Sequence, residues 1–355
     1  MSPKRSVPFF DYPRVYTDKR EELLSIFDEV ASRGAFILQS DVHDFEDALA
    51  EFSGAKFAIG VGNATDGLEL ACLSQNLSTG DEVIFCSHTM VATASAIKTA
   101  GAIPIPVEIG HDGLIDPAAV ADAVTSRTVG IIPTQLNGAV CNMQQVSAIA
   151  EKHGLFLIED AAQSQGASYK STLSGAMGDI SVFSFDPMKN MPSFGGGGAV
   201  LTDSKDHYKL ILSLRRHGNN SNLNYGYNSL LADDHANQLN FLLSKFDKLQ
   251  KHRKQIFERY RKNLPGVAFI ETDKQHTSSY HKCVILVDNR DNLKQYLDEQ
   301  GIETKIHYKE TLDIGNTYPT AEGMCKKVLS LPIYPFLTTK EVDYICSVIK
   351  KFYNV

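Results

Sequence analysis

No apolar run in this 355-residue sequence approaches the roughly 20 residues that a membrane-spanning helix needs; stretches such as Leu155 to Ile158 or Gly130 to Pro133 are far shorter. No transmembrane segment is expected. The N-terminal MSPKRSVPFFDYPRVYTDKR contains basic residues, but prolines and charges interrupt it where a secretory signal has its apolar core, which points to a cytoplasmic protein. Excess positive charge is also missing. A net charge of -7 argues against a general nucleic-acid binder, because phosphate backbones are held by summed Lys and Arg charge, so any phosphate here must be gripped locally. The six cysteines (Cys72, Cys86, Cys141, Cys283, Cys325, Cys346) include no CxxC pair. Such scatter suits reduced thiols, several of them small core residues, and not a disulfide frame or a zinc site. Internal repeats and low-complexity segments are absent.

What is present reads as a globular chain: 43% hydrophobic and 22% charged residues, long enough for a full core in one large domain plus a smaller one. From about residue 56 to 200, short apolar runs alternate with turns and helical stretches, the pattern of a parallel α/β sheet. Strands are expected at Lys56 to Val61, Glu82 to Cys86, Ile103 to Val107, Thr128 to Pro133, Leu155 to Glu159, Ile180 to Phe185 and Ala199 to Thr202. Helices fall between them at Thr65 to Gln75, Val91 to Ala100, Pro117 to Ala123 and Met143 to His153. Before the first strand, Val42, Phe45, Leu49 and Phe52 recur at three- and four-residue steps, an amphipathic helix that Asp41 could cap. After Arg215 the polar, Asn-rich HGNNSNLNYGYNS reads as loop and marks a boundary. A helical stripe from Leu239 to Tyr260 then connects two lobes, with Lys245, Lys248, Lys251, Arg253 and their basic neighbours as its solvated face. A smaller lobe follows, with a strand at Cys283 to Val287 and a helix at Asn292 to Gln300. The expected division is an N-terminal segment over 1–35, a large domain over 36–235, and a linking helix with a small C-terminal α/β domain over 236–355.

In open α/β sheets, ligands collect beyond the carboxyl ends of the strands, and here those positions are polar. After the first strand, Gly62, Asn63, Ala64 and Thr65 turn straight into a helix, whose N–H groups and Thr hydroxyl can hold a phosphate. An ordinary Asn/Gly turn capped by Thr65 explains the same residues. The strand LFLIEDAAQSQGAS ends in Glu159 and Asp160, suited to a metal, to acid/base work or to a cationic ring nitrogen; a solvated strand end would fit Glu159 better than Asp160. Gln163 could reach the same ligand. Ser184 closes the run VFSF, and Lys189 follows on a loop whose glycines, Gly195 to Gly198, let backbone turn and approach closely. A lysine partly withdrawn from water has a lowered pKa and attacks carbonyls, whereas a lone loop lysine is more often just solvated. A phosphate cradle, a strand-end Asp and a loop Lys on one sheet are together the grips that pyridoxal phosphate requires.

The stretches GNATDGLEL, SHTMVATASAI, GAIPIPVEI, IEDAAQSQGA, FSFDPMKN with GGGAVLTD, LRRHG, GYNS, GIETKIHY and VLSLPIYP occur in an order and spacing that resembles the DegT-type sugar aminotransferases of fold type I over nearly the whole chain. The resemblance implies a mostly parallel seven-stranded sheet flanked by helices, with a smaller C-terminal α/β domain. It implies pyridoxal 5′-phosphate, cycling through its pyridoxamine form, with Lys189 as the Schiff-base lysine and Asp160 on the pyridinium nitrogen. Gln163 then meets the phenolic oxygen, Asn63, Ala64, Thr65 and Ser184 hold the phosphate, and Asn228 reaches the phosphate of the neighbouring subunit in a homodimer with shared sites. The implied reaction moves an amino group from L-glutamate to a keto group of a nucleotide-linked deoxysugar, dTDP-, UDP- or GDP-borne, for a surface polysaccharide such as lipopolysaccharide or O-antigen, or another glycoconjugate. Relatives in which a histidine replaces the lysine are sugar dehydratases, so Lys189 favours amino transfer; a cofactor-binding regulator is the other alternative.

Several positions depart from the pattern of that family. Met90 stands where an aromatic residue is usual, leaving the ring face to His88 or Met90 itself. Gly196 replaces an acidic residue, Leu230 an arginine, and KETLD follows the HY pair in place of a proline-rich run. Gln135 and Asn137 stand where His or Ser and Tyr are common. His217, His307, Tyr308, Lys309 and Tyr318 are the candidates for touching the sugar or its phosphates, His307 and Tyr308 foremost because they match the HY pair.

Overall fold

The computed structural model describes residues 7–218, 226–272, 275–312 and 315–354. Two helices, α1 (Tyr12–Arg33) and α2 (Ser40–Ser53), precede an alternating run: β1 (Phe57–Val61), α3 (Ala64–Leu73), β2 (Glu82–Cys86), α4 (Val91–Thr99), β3 (Ile103–Val107), α5 (Pro117–Ala123), β4 (Thr128–Ile132), α6 (Met143–His153) and β5 (Phe156–Asp160). A small hairpin, β6 (Ser168–Tyr169) and β7 (Thr172–Leu173), leads to β8 (Ile180–Ser184), β9 (Gly198–Thr202) and α7 (Lys205–Leu214). The chain continues through α8 (Asp233–Leu243), α9 (Phe246–Asn263), β10 (Ala268–Phe269), β11 (His276–Thr277), β12 (Cys283–Leu286), α10 (Arg290–Glu299), α11 (Pro319–Lys327), β13 (Val328–Leu331) and α12 (Thr339–Tyr353).

The main sheet has seven strands in the order β1-β9-β8-β5-β4-β2-β3. β3, β2, β4, β5 and β8 run parallel, and β9 lies antiparallel between β8 and β1. Six carboxyl ends therefore share one edge, where Gly198 at the start of β9 pairs with both Val61 and Ser184. Helices cover both faces. Leu68 and Ile211 pack on Val182 and Val200, while Phe45 and Leu49 pack with Phe183, Phe185 and Leu201 on the other side. A second sheet, β10-β12-β13, rests on α9, α10 and α12 through Ile256, Tyr260, Ile285, Leu293, Leu329 and Ile345. All six cysteines are buried. Among the described residues no helix is long and apolar enough to cross a membrane.

The strands fall within a residue or two of the sequence reading, but four local expectations change. Asp41 does not cap α2: it sits inside the first turn, where both of its oxygens accept from Arg33 at 2.9 Å, and Asp233 of α8 takes the Gln39 N–H instead (2.9 Å). Thr65 does not cap α3, because Asn63 does so by accepting the Asp66 N–H (2.9 Å). The stripe from Leu239 to Tyr260 is broken at Ser244 and Lys245 into two helices. Nor is its basic side wholly solvated. Arg253 is buried with its guanidinium on the carbonyls of Ile333 and His281 (3.1 and 3.4 Å), and burial alone pushes its pKa down to about 9.

Candidate active site

A cavity of about 380 Å³ opens at the carboxyl edge of the main sheet, between it and the C-terminal lobe. That volume suits a small cofactor or ligand. Lys189 lines it from the loop joining β8 to β9, a position the glycines make possible. At Gly198 a Cβ would stand 2.7 Å from the Asn63 carbonyl carbon and 2.8 Å from the Ala64 nitrogen; at Gly196 it would stand 2.8 Å from the Gly62 oxygen. The loop thus lies directly on the turn between β1 and α3. An acidic residue at 196 cannot occupy this backbone without displacing that turn.

The turn itself offers donors. Asn63 caps α3 through its side chain, and its carbonyl accepts from Gly67 (3.1 Å), while Ala64 and Thr65 line the cavity and their N–H groups have no acceptor among the described residues. Together with the Ser184 hydroxyl on the neighbouring strand, they form a concave donor set at a helix N-terminus, the chemistry that receives a phosphate.

Asp160, at the tip of β5, is buried. Its Oδ2 accepts the Thr93 hydroxyl at 2.7 Å and that of Thr134 at 3.4 Å, and its Oδ1 accepts the Ala162 N–H at 3.2 Å. Burial raises its pKa, and the Thr93 and Ala162 bonds and the Lys189 charge act against that rise. Burial likewise lowers the pKa of Lys189, opposed by Asp186 and then Asp160. Each group thus supports the charge of the other in a site poor in water. Glu159 points away from the cavity. It is fully buried, not a solvated strand end, and accepts from Ser174, Ser181 and the N–H groups of Gly175 and Met177.

Gln163 joins the two lobes. Its Oε1 accepts from Lys282 Nζ (2.8 Å) and from the Asn137 N–H (3.2 Å), and its Nε2 donates to the Tyr308 hydroxyl (3.1 Å). The Tyr308 N–H in turn donates to His88 Nε2 at 3.0 Å. Burial holds His88 neutral, with its pKa pushed down to about 4. His307 lines the cavity beside Tyr308, with its Nδ1 2.9 Å from the Ser330 hydroxyl.

Of the residues read from the sequence, Asn63, Ala64, Thr65, Met90, Asp160, Gln163, Ser184, Lys189, His307 and Tyr308 come together on the cavity wall. Others do not. His88 lies behind Tyr308, so Met90 and not His88 reaches the wall. Tyr318 is in the core, its hydroxyl donated to the Pro106 carbonyl (3.1 Å), which removes it from the sugar candidates. His217 and Lys309 are exposed outside the cavity, and Asn228 is exposed outside the cavity of its own chain. The sequence reading missed Thr93, Thr134, Phe9, Phe10, Asp186, His281 and Lys282. A signal existed for Lys282 alone: a charged residue immediately ahead of the apolar run CVILV.

Comparison with known proteins agrees with this geometry. The profile of the DegT/DnrJ/EryC1/StrS aminotransferase family matches residues 17–350. The dTDP-3-amino-3,4,6-trideoxy-alpha-D-glucose transaminase of Streptomyces venezuelae is 33% identical over 93% of this chain and 92% of its own length. The UDP-2-acetamido-2-deoxy-3-oxo-D-glucuronate aminotransferase of Pseudomonas aeruginosa is 32% identical over 96% and 99%. Among solved structures, S. venezuelae DesV in complex with a ketimine intermediate superposes with a TM-score of 0.94 at 31% identity, covering 99% of both chains. The PLP-form of Spr1654 from Streptococcus pneumoniae gives 0.88 at 25% identity over 94% and 96%. With Lys189, buried Asp160 and the cradle lining one cavity, and with the family match running over residues 17–350, this chain is a member of the DegT/DnrJ/EryC1/StrS family of pyridoxal-phosphate-dependent aminotransferases.

Proposed function

We propose that the protein transfers an amino group from L-glutamate to a keto group of a nucleotide-linked deoxysugar, making an amino sugar for a surface polysaccharide or other glycoconjugate. The observation that carries the reading is the convergence of Lys189, Asp160 and the free N–H groups of Ala64 and Thr65 on one cavity. The two transaminase relatives named for dTDP- and UDP-sugars support the substrate class.

Bound pyridoxal phosphate supplies a ring that withdraws electrons from the amino-acid Cα. The Ala64 and Thr65 N–H groups and the Ser184 hydroxyl hold its phosphate. Asp160, whose charged form is supported by the Thr93 and Ala162 bonds, would accept the hydrogen bond of the ring nitrogen. Gln163 would offer its amide N–H to the phenolic oxygen, and Met90, on the same cavity wall, would cover a ring face. Lys189, with its lowered pKa, would be the base that takes the proton from the amino-acid Cα and gives it back, and the same group would serve the sugar half of the reaction. His307 and Tyr308 stand where the sugar enters.

The working unit in this reading is a homodimer with shared sites. Phe27, Phe36, Ile37, Val91 and Phe194 expose more than half of their surface, which a second copy would cover, and exposed Asn228 is then free to reach the partner's phosphate cradle.

The test is the absorption spectrum of the protein loaded with pyridoxal phosphate, before and after L-glutamate. A visible band that borohydride fixes to Lys189, and that glutamate bleaches, is the expected result. Lys189→Ala should give no fixed label and lose at least ~10²-fold in amino transfer; wild-type turnover by that variant overturns the reading.

A further inference from the structure

Lys282 stands on the cavity wall, one residue ahead of β12. It is half-buried and forms no ion pair among the described residues, although its sequence neighbourhood is apolar. Its ammonium instead donates to Gln163 Oε1 and lies 5.4 Å from the centre of the Tyr308 ring, over its face. Burial, together with the nearby Lys189 and Lys305 charges, pushes the pKa of Lys282 well down, so an anionic oxygen in the cavity would be a strongly favourable neighbour.

The orientation of Gln163 follows from its partners. An ammonium and a backbone N–H can only donate, so the atom that meets both Lys282 and Asn137 must be the amide oxygen. The NH2 group is left on the other side, where one hydrogen goes to Tyr308 and the other is available to the cavity. Without Lys282, a single backbone N–H at 3.2 Å would hold the oxygen, and the amide could turn over and present an acceptor.

We propose that Lys282 is a positioning residue that locks Gln163 with its amide N–H toward the cofactor's phenolic oxygen and places a positive charge beside that oxygen. This rests on the reading of the cavity as a pyridoxal phosphate site. The other ionisable groups around the cavity are Asp160, Asp186, Lys189, Lys305, His281, His307 and Tyr308, with His88 behind; none of them bonds to the Gln163 oxygen.

The test compares wild type, Lys282→Met and Lys282→Gln in two readouts: the affinity of the protein for pyridoxal phosphate, and the pH midpoint of the visible band of the loaded protein. Met matches lysine in length and removes a poorly solvated charge, so the apo-protein should melt no earlier than wild type. It should bind the cofactor about tenfold more weakly, the loss of one hydrogen bond from a charged donor. Its midpoint should rise by about one pH unit, because removing a nearby cation favours the more positive form of the chromophore. Lys282→Gln, which can still donate to Gln163 but carries no charge, should recover the affinity and keep the raised midpoint. A Met variant with wild-type affinity and midpoint overturns the proposal, and if that variant fails to fold, a Gln variant with an unmoved midpoint does so. A wild-type protein that gives no band at all overturns the cofactor reading instead.

Discussion

Thr93 donates its hydroxyl to Asp160 Oδ2 over 2.7 Å, from the first turn of α4 to the tip of β5. The same carboxylate oxygen receives Thr134 only at 3.4 Å, so Thr93 is its principal side-chain support. Thr93→Val keeps the shape and removes the donor. Turnover should fall about tenfold or somewhat more, as for a lost hydrogen bond to a charged group, and the acid limb of the pH–rate profile should move upward because the Asp160 carboxylate is less stabilised. Thr134→Val should change both by less. An unmoved acid limb in Thr93→Val would show that Asp160 does not set it.

The loop that carries Lys189 touches the β1–α3 turn with no room for a side chain at Gly196. Gly196→Ala puts a Cβ against the Gly62 carbonyl, and overpacking of this kind costs about 1–3 kcal/mol. Thermal unfolding should detect that loss, together with weaker cofactor binding as the cradle is displaced. Gly266, where an added Cβ meets nothing within 4 Å, is the control, and Gly266→Ala should be close to neutral in both assays. Equal effects at the two sites would remove the packing explanation.

His88 is fully buried and accepts from the Tyr308 N–H through Nε2, so the ring is neutral in the folded protein, with its pKa pushed from 6.5 to about 4 by burial. The unfolded chain therefore binds more protons between those values. Stability tied to His88 is fully present above about pH 6.5 and is lost as the pH falls toward 4, by roughly 2–3 kcal/mol. His281 and His307, both lowered by burial first, add in the same direction. Urea unfolding across this window should be visibly less pH-dependent in His88→Gln, which keeps an acceptor for Tyr308 but cannot titrate. An unchanged slope would mean that the ring is not neutral in the folded state.

The alternating part of the chain was legible because each strand there is a short apolar run bounded by turns, and because ligand-facing residues of such a sheet must follow strand ends. That rule picks out Asn63, Asp160, Ser184 and Lys189, all of which line the cavity. What it could not reach are contacts made across the sequence. Lys282 and Gln163 lie 119 residues apart, and no periodicity joins them. Arg253 resembled its solvated neighbours because helical spacing does not reveal that backbone carbonyls of another segment lie against one side of α9. Tyr318 was suspected from its residue type, which suits a ligand and a core position equally, and only the carbonyl of Pro106 decides between them. The break between α8 and α9 carries no glycine or proline to announce it.

The cavity draws its wall from Phe9 and Phe10 near one end of the chain and from Ile333 near the other. Val7 bridges to Ile302, its N–H donates to the Gly301 carbonyl (3.1 Å), and the Phe9 N–H donates to Glu303 (3.2 Å), so these backbone bonds of the early segment run to residues made some 290 positions later, while Val7 and Phe10 pack with Ile256, Tyr260 and Ile285. During synthesis from the N-terminus the main sheet can be completed while this segment still lacks those backbone partners. The cavity is thus finished last: a chain stopped before residue 300 would hold Lys189, Asp160 and the cradle but lack the His307, Tyr308 and Ile333 part of the wall.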